Sequence, residues 1–185
     1  DPTAAACRHF AGGERSLAIV SADKDLAQLV SDGTVRQILP PPTANPKLGW
    51  RELDAAKVKE KFGVPPERIP DYLALIGDTS DNIPGLPGVG PKTAAKWLDL
   101  YKSLDGVLNH SGKLKPPRFQ SIVHENRELL RRNLELVTFP ADTPISADEL
   151  APVEPDPGQL VQHLETLEMN TAAKDARKRY RQGRA

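Results

Sequence analysis

Leu86-Pro87-Gly88-Val89-Gly90-Pro91-Lys92-Thr93-Ala94 decides how this sequence folds. Gly88 and Gly90 reach backbone conformations closed to other residues and let a partner approach the main chain closely. Val89 between them is apolar and anchors the turn from below. Pro91 lacks an N–H and has a fixed φ, which suits the first position of a helix. Ala94, Ala95, Leu98 and Tyr101 then fall on one stripe. The spacing predicts a helix over 91–101 whose first N–H groups, at Gly90, Lys92 and Thr93, face outward. Such a terminus binds anions, and Lys92 adds positive charge to it. The stretch reads as a helix-hairpin-helix clamp in which Gly88, Val89, Gly90, Lys92 and Thr93 grip a DNA backbone without reading bases. An ordinary tight turn between helices is the plainer reading. A Walker-type phosphate loop is excluded, because no Gly-Lys-Ser/Thr follows a strand.

Working toward the N-terminus, Tyr72 to Ile76 predicts a short apolar helix, followed by Gly77-Asp78-Thr79-Ser80-Asp81-Asn82. Asp78 and Asp81, three residues apart, share a face if that stretch makes one helical turn. A second acidic group follows Leu17-Ala18-Ile19-Val20, a short apolar run that reads as a buried strand of an α/β sheet. Ser21-Ala22-Asp23-Lys24-Asp25 leaves the carboxyl end of that strand, where open α/β sheets keep their ligand sites. In extended backbone Asp23 and Asp25 project to one side and reach one cation. Taken singly, each group reads more simply as capping and Asx-turn chemistry. Taken together, four carboxylates without histidine or cysteine beside them favour a hard cation, Mg2+ or Mn2+. Packing four like charges is costly unless an ion neutralises them. All-carboxylate sites suit phosphodiester hydrolysis.

The rest of the chain supplies the frame. Residues 1–10 read as the end of a helix stopped by Gly12-Gly13, and Val35 to Leu39 as a second strand alternating Val35, Gln37, Leu39. Leu53 to Phe62 has helical spacing, with Gly63 as its stop. Arg118 to Val137 predicts one long amphipathic helix. Trp97 reads as packing, and Trp50 lies in a loop without an assigned role. Residues 140–157 hold five prolines and five acids and no lysine or arginine, the composition of a linker. A short helix over 159–167 precedes a tail in which Lys174, Arg177, Lys178, Arg179, Arg181 and Arg184 face only Asp175. That tail reads as a solvated, frayed terminus, with a DNA- or subunit-contacting tail as the sharper alternative.

Composition bounds these readings. Of 185 residues 38% are hydrophobic and 13 are glycine, which supports a core and excludes fibrous and wholly disordered classes. No apolar run approaches the roughly 20 residues of a membrane span, and the acidic start is not that of a secretory leader. Twenty-five basic and 25 acidic residues cancel, so any nucleic-acid site rests on local patches. The single cysteine, Cys7, excludes a disulfide scaffold and fits a cytoplasmic protein.

Ser21–Leu26 (SADKDL), Asp71–Gly77 (DYLALIG), Asp78–Gly85 (DTSDNIPG) and Leu86–Ala94 (LPGVGPKTA) stand in the order found in bacterial 5′ nucleases. From about Leu17 to Phe139 the chain resembles the 5′→3′ exonuclease domain of DNA polymerase I and its free-standing relatives, which are similar to flap endonucleases. Leu164–Met169 (LETLEM) is similar to the short helix closing that domain. The resemblance implies an α/β remnant of a PIN-like 5′ nuclease sheet over residues 1–69. A mostly α helix-three-turn-helix (SAM-fold-like) domain over 70–139 follows, then a linker, short helix and basic tail over 140–185. It implies cleavage of DNA at 5′ ends, flaps and nicks with two divalent ions. Asp23, Asp25, Asp78 and Asp81 match the acids of the second metal site. It also implies a K+ ion at the hairpin, Lys92 beside a phosphate, and a functional link to a DNA polymerase.

The departure lies upstream. In the family, two further Asp-bearing strands, an acidic cluster and a helical arch precede the segment matching SADKD. Here 22 residues precede Asp23. Asp1 matches the last acid of that cluster by spacing, although Pro2-Thr3 is not the usual continuation. The chain therefore resembles the C-terminal half of a 5′ nuclease, with the N-terminal nuclease half missing. Two rivals stand beside the enzyme: a catalytically inactive remnant that grips duplex DNA through the glycine hairpin, and an unrelated helix-hairpin-helix protein whose acids are only caps.

Overall fold

The computed structural model describes residues 2–10, 16–140 and 156–181. The chain divides into two compact units, Asp1–Ile145 and Ser146–Ala185. In the first unit, α1 (Pro2–Phe10) precedes β1 (Leu17–Val20). β1 runs parallel to β2 (Val35–Leu39), with Leu17 opposite Val35 and Val20 opposite Ile38. β3 (Arg51–Leu53), which the sequence pattern does not predict, pairs antiparallel with β2. Three residues are too few to show an alternation, and only Leu53 of β3 turns inward. β2 is thus the central strand, and its Val35, Gln37 and Leu39 are the buried phase.

α2 (Ala55–Phe62) begins two residues later than its periodicity predicts, because Leu53 belongs to β3. Asp54 caps it by accepting the Lys57 N–H at 2.8 Å. Gly63 closes it in the left-handed conformation at φ 77°. α3 (Ile69–Ile76) runs straight into a two-strand ladder, β4 (Gly77–Asp78) against β5 (Ile83–Pro84). The acidic stretch is therefore the turn of a tight hairpin and not a turn of helix. Its closeness requires glycine: a Cβ on Gly85 would lie 2.1 Å from the Ile76 carbonyl oxygen.

α4 (Pro91–Tyr101) occupies the predicted residues. α5 (Leu104–Asn109) was not expected; Ser103 caps it through the Gly106 N–H at 3.0 Å. Residues 118–137 form two helices, α6 (Arg118–Glu125) and α7 (Arg127–Val137), not one. Asn126 makes the break. Its side-chain amide donates to the Ile122 carbonyl at 2.8 Å, a local bond that competes with the helical ladder.

The core of this unit joins α3, α4, α5 and α7 around Leu73, Leu75, Trp97, Leu104, Leu108 and Leu130. Trp97 packs edge-on to Phe119 at 5.3 Å and donates to the Lys115 carbonyl at 3.3 Å, the packing role expected of it. Buried Asp71 ties helix starts together by accepting the Leu104 N–H at 3.0 Å. Asn133, also buried, donates to the carbonyls of Ala74 at 3.1 Å and Pro84 at 2.7 Å. α7 is thereby fastened to α3 and to the ladder.

In the second unit, α8 (Pro157–Thr166) is capped by Asp156, and α9 (Asn170–Arg181) packs on it through Ala173 and Ala176. Arg177 forms an ion pair with Glu165. The basic tail is thus helical as far as Arg181 instead of frayed from Lys174. Residues 182–185 and most of the acidic linker, 141–155, lie outside the described residues.

Candidate functional site

The carboxyl end of β1 meets the β4–β5 hairpin. Asp25, Asp78 and Asp81 each bring a carboxylate oxygen within 4.8 Å of the others there. Asp25 opens a short 3-10 helix, Asp25–Leu29, and Asp78 ends β4. Asp23 is not among the three. Its backbone neighbour Lys24 is helical at φ −71°, so the segment is not the extended run the sequence reading assumes. The Asp23 carboxylate instead accepts the Asp25 N–H at 3.0 Å, and Ser21 Oγ accepts the Asp23 N–H at 3.1 Å. Asp1 lies outside the described residues.

Three residues that the motif reading did not assign hold this centre together. Lys24 Nζ forms an ion pair with Asp78 Oδ2 and donates to Ser80 Oγ at 3.0 Å. Ser80 donates to Asp78 Oδ1 twice, from its N–H at 2.9 Å and from its hydroxyl at 2.5 Å. Gln37, fully buried, donates to the carbonyls of Ser21 at 3.0 Å and Asp23 at 2.6 Å. The signal for Gln37 was present in the sequence: a polar residue in the inward phase of a strand. Lys24 stood between the two acids of SADKD and drew no separate reading.

The two inner carboxylates sit in opposite electrostatic states. Burial pushes the Asp25 carboxyl up to about 6, and the negative charge of Asp23 adds to that push. Burial also acts to raise Asp78, but the Lys24 ammonium and the Ser80 donors outweigh it and hold Asp78 at about 2. Asp25 Oδ1 is buried and has no hydrogen-bond partner. An unpartnered buried carboxylate oxygen beside two further carboxylates is a set of hard donors, and it fits a Mg2+- or Mn2+-type cation.

The hairpin after β5 lies next in the chain. Leu86 and Val89 are buried, and the Val89 N–H donates to the Leu86 carbonyl at 3.1 Å. Gly88 has φ 74°, the conformation that calls for glycine, and a Cβ on Gly90 would meet nothing within 4 Å. Lys92 is exposed. Gly90 N–H and Lys92 N–H take no partner among the described residues. Thr93 N–H is not free, contrary to the expectation, because it donates to the Gly90 carbonyl at 3.0 Å. The arginines of the following helices are largely engaged: Arg127 donates to the Leu108 carbonyl at 2.9 Å and Arg131 pairs with Glu128 at 3.0 Å.

The chain thus combines an acidic centre at a strand end with a glycine hairpin that opens a helix in a SAM-like bundle. The family described as 5′-3′ exonuclease, C-terminal SAM fold, matches residues 64–158, about half of the chain. The chain belongs to that 5′-3′ exonuclease family. It is 40% identical over 164 residues to the 5′-3′ exonuclease of Aquifex aeolicus, which covers 89% of this chain and 53% of that protein. It is 37% identical over 155 residues to DNA polymerase I of Rhizobium leguminosarum, covering 83% of this chain and 14% of the polymerase. The chain therefore spans about half the length of the Aquifex relative.

Among solved structures, the fold is shared with T5 5′-exonuclease bound to divalent metal ions (zinc). The TM-score is 0.61 at 24% identity, over 72% of this chain and 47% of that one. It is shared equally with the T5 flap endonuclease in a complex with DNA and metal ions, at a TM-score of 0.60 and 23% identity, over 73% and 47%. No described helix is long and apolar enough to cross a membrane.

Proposed function

We propose that this chain is the metal- and duplex-holding half of a structure-specific 5′ nuclease that hydrolyses DNA phosphodiesters near 5′ ends, flaps and nicks. The observation that carries the reading is the convergence of Asp25, Asp78 and Asp81 from two distant segments onto one buried, unpartnered oxygen. These three residues would hold one divalent cation of a two-ion site. A cation there supplies charge stabilisation and a more acidic water for phosphodiester hydrolysis. The chain's own part is to present the carboxylates, with Asp78 buried, Asp25 half-buried and Asp81 open to solvent, and to grip the duplex. Gly88 and Gly90 admit the backbone, and the Gly90 and Lys92 N–H groups with the Lys92 ammonium meet a phosphate. In this reading residues 1–69 carry Asp25, residues 70–139 carry Asp78, Asp81 and the clamp, and residues 140–185 the linker and basic helix. Relatives named DNA polymerase I support a replication or repair setting in a bacterial cytoplasm.

Single-turnover cleavage of a labelled 5′-flap DNA, with Mg2+ and with EDTA, tests the proposal. Metal-dependent release of the flap, lost in Asp78→Asn, is the expected result for the complete nuclease. With this chain alone we expect DNA binding with little cleavage, because a two-ion site needs further acids. Absence of both binding and cleavage would sink the reading.

A further inference from the structure

We propose that Lys24 is the resident cation of the Asp25–Asp78–Asp81 centre and is exchanged for the divalent ion, so that its departure gates metal entry. The proposal rests on the metal reading above and concerns how that site is regulated.

Both oxygens of Asp78 are committed in the structure. Oδ1 accepts two bonds from Ser80, and Oδ2 meets the Lys24 ammonium. A divalent cation on the remaining lone pair of Oδ2 would lie within a few ångströms of Nζ. The two cannot share the carboxylate, since an ammonium and a divalent ion a few ångströms apart in a half-buried site repel strongly. Lys24 has a way out. About a third of its side chain (35%) is exposed, against 1% for Asp78, and its second partner, Ser80, lies at the surface.

Its backbone, in contrast, is pinned. Gln37 holds the carbonyls of Ser21 and Asp23 on one side of Lys24, and Asp23 holds the Asp25 N–H on the other. The exchange is therefore a side-chain swing and leaves the carboxylates in place. It trades one positive charge for two. A monovalent ion gains nothing from displacing an ammonium, whereas a divalent ion gains a full unit of charge against three carboxylates. Lys24 thus makes the site discriminate against K+ and Na+ while still admitting Mg2+ or Mn2+. It also keeps the buried Asp78 paired when no ion is bound, the state in which a lone buried carboxylate is most destabilising.

Mn2+ titration by calorimetry on wild type, Lys24→Met, Lys24→Arg and Asp25→Asn tests the exchange, together with thermal melts and the Lys24 ammonium NMR signal during Mg2+ addition. We expect Lys24→Met to bind Mn2+ about tenfold tighter than wild type. It should melt lower without metal and recover the difference when saturated. Lys24→Arg, which keeps the charge, should bind no tighter than wild type. The protected ammonium signal of wild type should vanish in proportion to Mg2+ bound. Unchanged or weaker Mn2+ binding by Lys24→Met, or an ammonium signal that persists in the Mg2+-saturated protein, overturns the exchange while leaving the metal site standing. Absence of any Mn2+ binding that Asp25→Asn abolishes overturns the metal reading and the exchange with it. If Lys24→Met does not fold, the ammonium signal of wild type decides alone.

Discussion

The acidic centre and the glycine hairpin follow one another along the chain, yet they are held in opposite ways. The hairpin is closed by bonds between residues three or four positions apart: Val89 N–H to Leu86 O, Thr93 and Ala94 N–H to Gly90 O. The acidic centre is closed across the fold, by Lys24 on Asp78 and on Ser80, 56 residues away. The first arrangement is local apart from its root, where the Leu86 N–H donates to the Leu75 carbonyl of α3 at 3.0 Å. The second exists only while the β1–β2 layer and the β4–β5 hairpin are packed together. Metal response and duplex grip should therefore come apart under mutation.

The largest effect is expected where both depend on one contact. Gly85→Ala places a Cβ 2.1 Å from the Ile76 carbonyl oxygen and forces the backbone of the ladder to move. We expect a loss of about 3 kcal/mol or more in urea unfolding, and loss of Mn2+ response and DNA binding together. Retention of either function at full strength would show that the ladder is not their common base. Gln37→Leu separates them. It releases the two carbonyls that pin the acidic loop, at about 2 kcal/mol. The thermal shift with Mn2+ should disappear while duplex affinity stays within about twofold.

A pH series sharpens the same contrast without mutation. Asp25 is raised from its ordinary 3.8 to about 6. Between those values the folded chain holds a proton that the unfolded chain has lost, so the associated stability is present at low pH and is lost as pH rises toward 6. A metal needs the carboxylate instead. Mn2+ affinity should be level above about pH 7 and fall by up to tenfold per pH unit below 6, whereas duplex binding through Lys92 should not follow that curve. A flat Mn2+ profile would place the ion elsewhere. The smallest effect on stability belongs to Gly90→Ala, whose Cβ meets nothing within 4 Å. Its unfolding free energy should stay within about 0.5 kcal/mol of wild type, while duplex affinity drops several-fold. Lys92→Ala should lower the salt dependence of duplex binding by about 0.9 in log–log slope.

Sequence alone determined what depends on neighbours in the chain. Leu17–Val20, Val35–Leu39 and Pro91–Tyr101 appear as elements at the residues their patterns define. The glycine hairpin was legible because Gly88, Pro91 and the apolar anchors Leu86 and Val89 act within one turn. Tertiary structure decided the rest. The split at Asn126 is the exception, a local effect that the apolar period does not count: its side-chain amide donates to the Ile122 carbonyl four residues back. β3 forms because β2 offers it an edge. Asp23 and Asp25 look equivalent in SADKD, yet Asp23 accepts the Asp25 N–H while Asp25 brings an oxygen to the centre, with Lys24 helical between them and Gln37 holding the Ser21 and Asp23 carbonyls. Local patterns can name the acids. Which of them share a space is settled by long-range bonds from a lysine, a serine and a buried glutamine.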